Sequence, residues 1–360
     1  MYEREDSETA HKTWKARDRI HIRTAMDNQN QTWKSAVKIV NANRVLKANI
    51  PIEPFRNINN TEKRKHVELI GRSWAADSTA FVVPALDLAL DAGYPVHGKR
   101  SSAVLVTHTH TDHIHSITHL KSRSKPPNIY LPTNSVQNVQ LFLDFAQQMT
   151  SDITTEEYQS IEWEPSFYLN GVRPGDKFYI NKKRGILARA IQCDHSINCV
   201  GYIVYQEKSN LKPDYVGLPG PEIGKLRKSG VQVTFSEEQP LFCFLGDTHA
   251  SILSGPDADL IFSCPTVIIE CSFLTDDCLE NAERTKHVVW SQLKAHVVAH
   301  PETFFVLTHF SHRWSSSEIV EFFRQENLPN ILPWVPAEEE LYCRSVGEQV
   351  EAIDEVWSHF

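Results

Sequence analysis

Short apolar runs, each stopped by a turn or a polar cluster, recur along this chain from Ile70 onward. TAFVVPAL (79–86), SAVLVTH (102–108), PLFCFLGD (240–247), TVIIECSF (266–273) and TFFVLTH (303–309) are examples. Runs of this length without alternation read as strands buried on both faces. Helical patterns separate some of them, as in NSVQNVQLFLDFAQQM and ENAERTKHVVWSQLKAHVVAH. Buried strands alternating with helices predict an α/β layered domain whose sheets are covered by helices. Residues 1–66 read differently, being polar, Asn-rich and broken at Pro51 and Pro54. WKARDRIHIRTAMD and TWKSAVKIVNANRVLK fit a helix or a strand equally. The expectation is a basic extension over 1–66 packed on a main domain over 67–360.

What stands where the runs stop adds chemistry to this outline. AVLV runs into His108, LFCFL into Gly246-Asp247-Thr248, FFVL into Thr308-His309, and LARAIQCDHS ends near His195. The stretch VLVTHTHTDHIH places His108, His110, Asp112, His113 and His115 within eight residues. Neutral imidazoles and carboxylates suit a borderline divalent ion such as zinc. His108 and His110 alternate on an extended segment, so both rings can reach one ion. Asp112 and His113 follow a turn and can address a second, and two ions can clamp the attacking and leaving oxygens of a phosphoryl transfer.

Composition narrows the setting. No stretch reaches the roughly 20 apolar residues of a membrane span, and the start, MYEREDSETAHK, lacks the apolar core of a signal peptide. A soluble intracellular protein is expected, cytoplasmic first, with the nucleus or an organelle as alternatives. The seven cysteines are odd in number and have no CxxC spacing, which predicts buried free thiols. Residues 1–66 carry 14 Lys and Arg against 8 Asp and Glu, leaving 23 against 37 in the remainder. An acidic body suits an enzyme with a local cationic centre and not a protein that coats nucleic acid.

The HTHTDH stretch resembles the signature of the metallo-β-lactamase superfamily. Further segments resemble ribonuclease Z, the tRNA 3′-processing endonuclease, in its short plant-like form. They are GRSWAADSTAFVVPALDLALDAG (71–93), His195 followed by Gly201-Tyr202, GDT (246–248), ECSF (270–273) and LTHFSHRW (307–314). YVGLPGPEIGKLRKSGVQVT (215–234) is similar to that family's substrate-binding arm, marked by a Gly-Pro and a later Gly-Lys-Leu. The likeness covers about residues 67–335, with the arm at about 206–235.

The resemblance implies an αββα sandwich of two packed mixed sheets. It implies one zinc held by His108, His110 and His195, a second held by Asp112, His113 and His309, and Asp247 bridging them. Manganese or another divalent ion is the alternative occupant. Asp112 would orient or deprotonate the attacking water, and His287, in the helix after ECSF, would protonate the leaving group while Glu270 orients it. An imidazole held by a carboxylate is a competent general acid for a ribose oxygen. The implied partners are precursor tRNA and a second copy of the chain, since the family's arm serves the neighbouring subunit's site. Two departures stand out: Val288-Val289 follow His287 where the family has a polar pair, and residues 1–66 have no counterpart.

Candidate RNA contacts are Gly220, Pro221, Lys225, Arg227 and Lys228 in the arm, and Arg313, whose guanidinium can pair with phosphate oxygens. The arm's prolines and glycines are expected to hold its tip as a rigid turn. His115 and His119 read as surface residues, and His249 and His312 as packing beside the ligands. Trp14 and Trp33 read as buried. The leading function is removal of 3′ trailers from precursor tRNA, leaving a 3′-hydroxyl. A hydrolase of small phosphodiesters or other esters is the alternative with the same site. A catalytically silent RNA-binding relative is a third reading, against which all seven intact ligand positions argue.

Overall fold

The apolar run at 266–270 is buried along its whole length, and so is the one at 304–308. A strand without a solvent face needs a layer on each side of it, and that requirement sets the architecture. The computed structural model describes residues 38–40, 45–53, 65–96 and 101–335. Among them, two sheets form. The first holds β1 (Lys38–Val40), β2 (Val45–Pro51), β3 (His66–Trp74), β4 (Ser78–Val83), β5 (Leu88–Leu90), β6 (Ala103–Leu105), β7 (Asn128–Pro132) and β8 (Tyr168–Val172), in that spatial order. The second holds β9 (Lys177–Asn181), β10 (Ile186–Cys193), β11 (Cys199–Leu211), β12 (Thr234–Phe244), β13 (Thr266–Glu270), β14 (Phe304–Thr308) and β15 (Ile331–Pro333), also in chain order. Each sheet begins antiparallel and ends parallel, changing at β5–β6 and at β12–β13.

The sheets face each other across a core that includes Phe81, Tyr202, Phe244 and Trp334, all buried. Phe81 meets Phe244 and Trp334 edge-on, with centroids 6.0 and 5.3 Å apart, the arrangement ring quadrupoles favour. The Trp334 indole donates to Gly71 O at 3.2 Å, so its burial leaves no orphan donor.

Helices cover the outer faces. Over the first sheet, α1 (Thr111–Ile114) buries Ile114, and α2 (Val136–Ser151) buries Val139 and Leu143; the capped α3 (Thr155–Ser160) follows. Past α4 (Gly220–Lys228) come α5 (Ala258–Phe262), α6 (Leu279–Thr285), α7 (Trp290–Ala299) and α8 (Ser316–Glu326). Leu293 and Val297 of α7 and Ile319 and Phe323 of α8 share one core with the outer face of the second sheet. Ser315 opens α8 with a reciprocal cap: its hydroxyl accepts from Glu318 N, and Glu318 accepts from Ser315 N.

Three expectations change. The pattern ENAERTKHVVWSQLKAHVVAH is not one helix, because Lys286 is left-handed at φ 60° and ends α6. Val289 then runs extended into α7. His287 therefore lies in the break and not in a helix. The division at 66/67 falls inside β3, one residue past its start, and β2 on the other side of that division pairs with β3 from Leu46↔Gly71 to Pro51↔His66. Leu46, Ala48 and Ile50 of β2 enter the core between the sheets. The arm is a hairpin of β11 and β12, paired out to Leu211↔Thr234. Its Gly220-Pro221 opens the helix α4 and not a turn, with proline in the first turn, where its missing N–H costs nothing.

Trp14, Trp33, Pro54 and Cys343 lie outside the described residues. The other six cysteines are free and buried. No described helix is long and apolar enough to cross a membrane.

Gly93 shows how tightly α1 is seated. A Cβ built there meets Asp112 O at 1.6 Å and Thr79 N at 2.8 Å, both backbone atoms. Gly93→Ala is expected to lower stability by about 3 kcal/mol, at the upper end for overpacking. Urea unfolding with an unchanged m-value would read this as an earlier midpoint, and a midpoint equal to wild type would show that α1 yields freely.

Candidate metal centre

Both sheets deliver polar side chains to one rim, mostly just past the carboxyl ends of strands. Asp91 follows β5, His108 and His110 follow β6, Asp247 follows β12, Glu270 ends β13 and His309 follows β14. His195 sits in the turn between β10 and β11. Two groups of donors result, each drawn within 4.8 Å: His108, His110, His195 and Asp247, and Asp112, His113, Asp247 and His309. Asp247 belongs to both. All seven residues singled out as ligands from the sequence thus meet at one place.

Whether cations fit this cluster follows from the outward-facing nitrogens. His113 Nδ1 lies 2.8 Å from Asp91 Oδ2, a buried carboxylate, so that nitrogen carries the proton. The Thr107 hydroxyl reaches both Asp91 oxygens at 3.1 and 3.0 Å and is left to accept from His108 Nδ1 at 3.0 Å. His195 Nδ1 faces Lys286 O at 3.3 Å. Ser272 Oγ donates to Glu270 Oε2 at 2.6 Å and accepts from His309 Nδ1 at 3.1 Å. When neutral, these four rings carry their proton on the outward Nδ1 and turn a bare Nε2 inward.

Those inward nitrogens meet one another and the carboxylate oxygens. His108 Nε2 and His195 Nε2 each lie 3.1 Å from His110 Nδ1. His309 Nε2 is 3.2 Å from both Asp112 Oδ2 and Asp247 Oδ2. His113 Nε2 and Asp247 Oδ1, 3.3 Å apart, are buried without a hydrogen-bond partner. Such a set in a dry site needs positive charge among its members, which added imidazole protons or bound cations supply. The donor set therefore fits divalent ions of the zinc type, and both groups are large enough to hold one.

The same imbalance shows in the titration of the side chains. Burial opposes charge on His113, but Asp247 and Asp91 outweigh it and hold its pKa well above the ordinary value. Burial and the neighbouring His113 push His108 well below it. Burial works against ionised Asp112, yet the His309 hydrogen bond and the His113 charge prevail and bring its pKa to about 2.

Backbone geometry aims several of these groups. His309 and Asp91 sit in the left-handed region at φ 59° and 55°, a conformation that costs a non-glycine residue on the order of 1–2 kcal/mol. His309 is held there by Ser73 Oγ, which accepts its N–H at 3.0 Å. Gly246, at φ 60°, precedes Asp247, and a Cβ there would meet Thr107 Oγ1 at 2.7 Å. A larger residue would thus displace the hydroxyl that orients His108.

A pocket of about 550 Å³ opens beside the cluster, lined by Asp112, Asp247, His287, His309 and Arg313, among others. His287 Nδ1 lies 2.8 Å from Glu270 Oε1. Burial alone would lower the His287 pKa, but buried Glu270 dominates and lifts it to about 9. The break between α6 and α7 serves this pairing, because Val288 N also donates to Glu270 Oε2 at 3.1 Å.

The remaining candidates scatter. Arg313 reaches the pocket wall, its guanidinium 5.9 Å from the Phe273 ring centre. Gly220, Pro221, Lys225, Arg227 and Lys228 stand on α4, away from the pocket. His115 and His119 are exposed. His249 pairs with Glu283 at 2.9 Å, and His312 accepts the buried Trp74 indole N–H. Asp91, Thr107 and Ser272 were not singled out from the sequence. The signal for Asp91 was present: LALD stops on an ionisable side chain just as the runs before His108 and Asp247 do.

Asp91→Ala removes the acceptor that fixes His113 and one that Thr107 uses. Affinity for divalent metal is expected to fall by about 10–100-fold, measured by titration against a competing chelator. Unchanged affinity would mean that His113 is aimed by packing alone.

No family model matches the chain. It is 29% identical to tRNase Z TRZ1 of Arabidopsis thaliana over 271 residues, covering 72% of this chain and 92% of that one. It is 27% identical to the chloroplastic tRNase Z TRZ2 of the same plant over 281 residues, 75% and 76% of the two chains. It is 30% identical to a nuclear ribonuclease Z of Triticum aestivum over 170 residues, 46% of this chain and 89% of that one. Among solved structures, the short form of human tRNase Z superposes with a TM-score of 0.45 at 17% identity, covering 67% of this chain and 91% of that chain. The wheat protein is matched over nearly its whole length, and the chain belongs to the ribonuclease Z family of metal-dependent hydrolases, built on the metallo-β-lactamase fold.

Proposed function

We propose that the chain removes 3′ trailers from precursor tRNA by hydrolysis of one phosphodiester, leaving a 3′-hydroxyl on the tRNA. The observation that carries this reading is the pair of donor groups sharing Asp247, set beside the His287–Glu270 pair at one pocket. His108, His110 and His195 would hold one zinc ion, Asp112, His113 and His309 would hold a second, and Asp247 belongs to both donor groups. When bound, such ions supply Lewis acidity and a water that ionises near neutral pH. Asp112, anionic and anchored by Ala76 N at 3.0 Å, would orient the attacking water or accept its proton. His287, kept charged by Glu270, delivers a proton to the departing ribose oxygen. Arg313 at the pocket wall is placed to pair with a phosphate oxygen.

Lys225, Arg227 and Lys228 follow Glu222 on α4, a basic face suited to an RNA backbone and blind to sequence. The arm stands far from its own site: β11 starts beside the cluster, and its Leu211 end is about 40 Å away at about 3.3 Å per residue. An arm at that distance favours service to the site of a second subunit in a homodimer.

The first test is cleavage of a precursor tRNA carrying a 3′ trailer. Wild type is expected to cut once at the discriminator, and His110→Ala to lose both the cut and bound metal. His287→Ala should slow the cut by about 10²–10⁴-fold with metal content intact. Hydrolysis of a bis-aryl phosphate without any tRNA cleavage would move the substrate to small phosphodiesters.

Service in trans has its own check. His110→Ala chains lack a site but keep an arm, and a Lys225→Glu/Arg227→Glu/Lys228→Glu triple variant keeps a site but lacks a basic arm. Mixed and allowed to exchange subunits, they should recover about a quarter of wild-type activity, since half the dimers are mixed and each has one complete site. No recovery in demonstrably mixed dimers would assign each arm to its own site.

A further inference from the structure

Outside the ring of donors, one circuit of side chains joins three of the segments that carry them. Lys286 closes α6, and its carbonyl oxygen faces His195 Nδ1 at 3.3 Å. Its ammonium lies 3.5 Å from Asp194 Oδ2, on the residue just before His195, and 3.2 Å from Glu283 Oε1, one turn back on α6. Glu283 turns its other oxygen to His249 Nε2 at 2.9 Å. His249 N donates to Asp194 O at 2.8 Å, which closes the circuit. Asp194, His249, Glu283 and Lys286 thus tie together the turn bearing His195, the loop after Asp247 and the segment that leads into His287.

The strap is costly to the fold in one respect and adds little to it in another. Lys286 sits at φ 60°, a conformation that glycine adopts without the steric cost of a Cβ. Lys286, Asp194 and Glu283 keep 33%, 47% and 62% of their side chains exposed, and ion pairs so open to solvent contribute little to stability. What a lysine adds at this position is a cation that reaches the His195 turn. Residue 286 therefore touches that turn twice, with its carbonyl on the His195 ring and with its ammonium on Asp194. The next residue is His287, whose ring centre is 5.1 Å from that of His195. Movement of residue 286 would displace the acceptor of one imidazole and the backbone of the other.

We infer that Lys286 is a positioning residue: its ammonium, held by Asp194 and Glu283, keeps its carbonyl on His195 Nδ1 and so sets His195 in the first donor group. The inference rests on the reading of His108, His110, His195 and Asp247 as a metal site, and it does not depend on the identity of the substrate.

Zinc titration of the full chain against a competing chelator at low salt tests it. Wild type is expected to show two steps, and the step lost in His195→Ala is that of the first group. Lys286→Gly keeps the carbonyl and relaxes the backbone but removes the ammonium. It should weaken the first-group step by about three- to fivefold, the range open to a partly exposed ion pair, and leave the other step unchanged. Lys286→Arg should restore the wild-type affinity. Asp194→Asn should reproduce the loss, and the two losses should not add in the double variant. Near 1 M salt, where charges are screened beyond about 3 Å, wild type and Lys286→Gly should converge. In the metal-free protein, deuterium uptake over 192–199 should rise in Lys286→Gly while the urea midpoint holds or increases, which separates the effect from loss of fold. An unchanged first step in Lys286→Gly, or an equal loss in Lys286→Arg, would overturn the inference and leave the carbonyl held by the backbone alone. No zinc bound by wild type would instead overturn the reading of the site, and the inference with it.

Discussion

The structure turns on the direction in which imidazole protons are made to point. Asp91, Thr107, Ser272 and the Lys286 carbonyl claim the outward nitrogens of four histidines, so the inward nitrogens are left for His110, the carboxylates and whatever positive charge, proton or cation, sits among them. Much else in the fold serves this arrangement. Left-handed backbone at Asp91 and His309, the close approach of Gly246 to Thr107, and the seat of α1 on Gly93 are local costs borne by a large common core.

The outer surfaces divide the remaining work by charge. The arm projects a helix whose basic residues outnumber its one acid, while the α2 face carries acids and exposed apolar residues without a cation in its own sequence. Positive and negative charge are therefore gathered on different parts of one acidic body. That separation is hard to see from the net charge of −8, which averages the two.

Fold class and donor set were legible in the sequence because both depend on where apolar runs stop. His108, His195, Asp247 and His309 were found that way, and the same rule applied to LALD would have added Asp91. What escaped was governed by tertiary context. VLKANIP is lost in the polar stretch around it, although only Asn49 of the strand is exposed; Lys47 there pairs with Glu68 at 2.5 Å while Leu46, Ala48 and Ile50 turn inward. The helical pattern through His287 is broken because buried Glu270 competes for Val288 N and the His287 ring. A one-dimensional pattern carries no information about that distant carboxylate. At the arm tip, Pro-Gly-Pro reads as a turn, yet proline is equally at home in a helix's first turn, and the residues after it are good helix formers.

The order in which the ligands occur along the chain has a temporal meaning. One donor group draws on residues from 108 to 247 and the other on residues from 112 to 309, so each spans both sheets. On a ribosome, the first sheet emerges with His108, His110, Asp112 and His113 but without His195, Asp247 or His309. If the two groups hold metal as proposed, the first is complete only once Asp247 has been made, and the second only after β14. Metal capture would then be a late event that reports the docking of one sheet on the other, and a chain stalled before residue 309 would be recognisable by what it fails to retain.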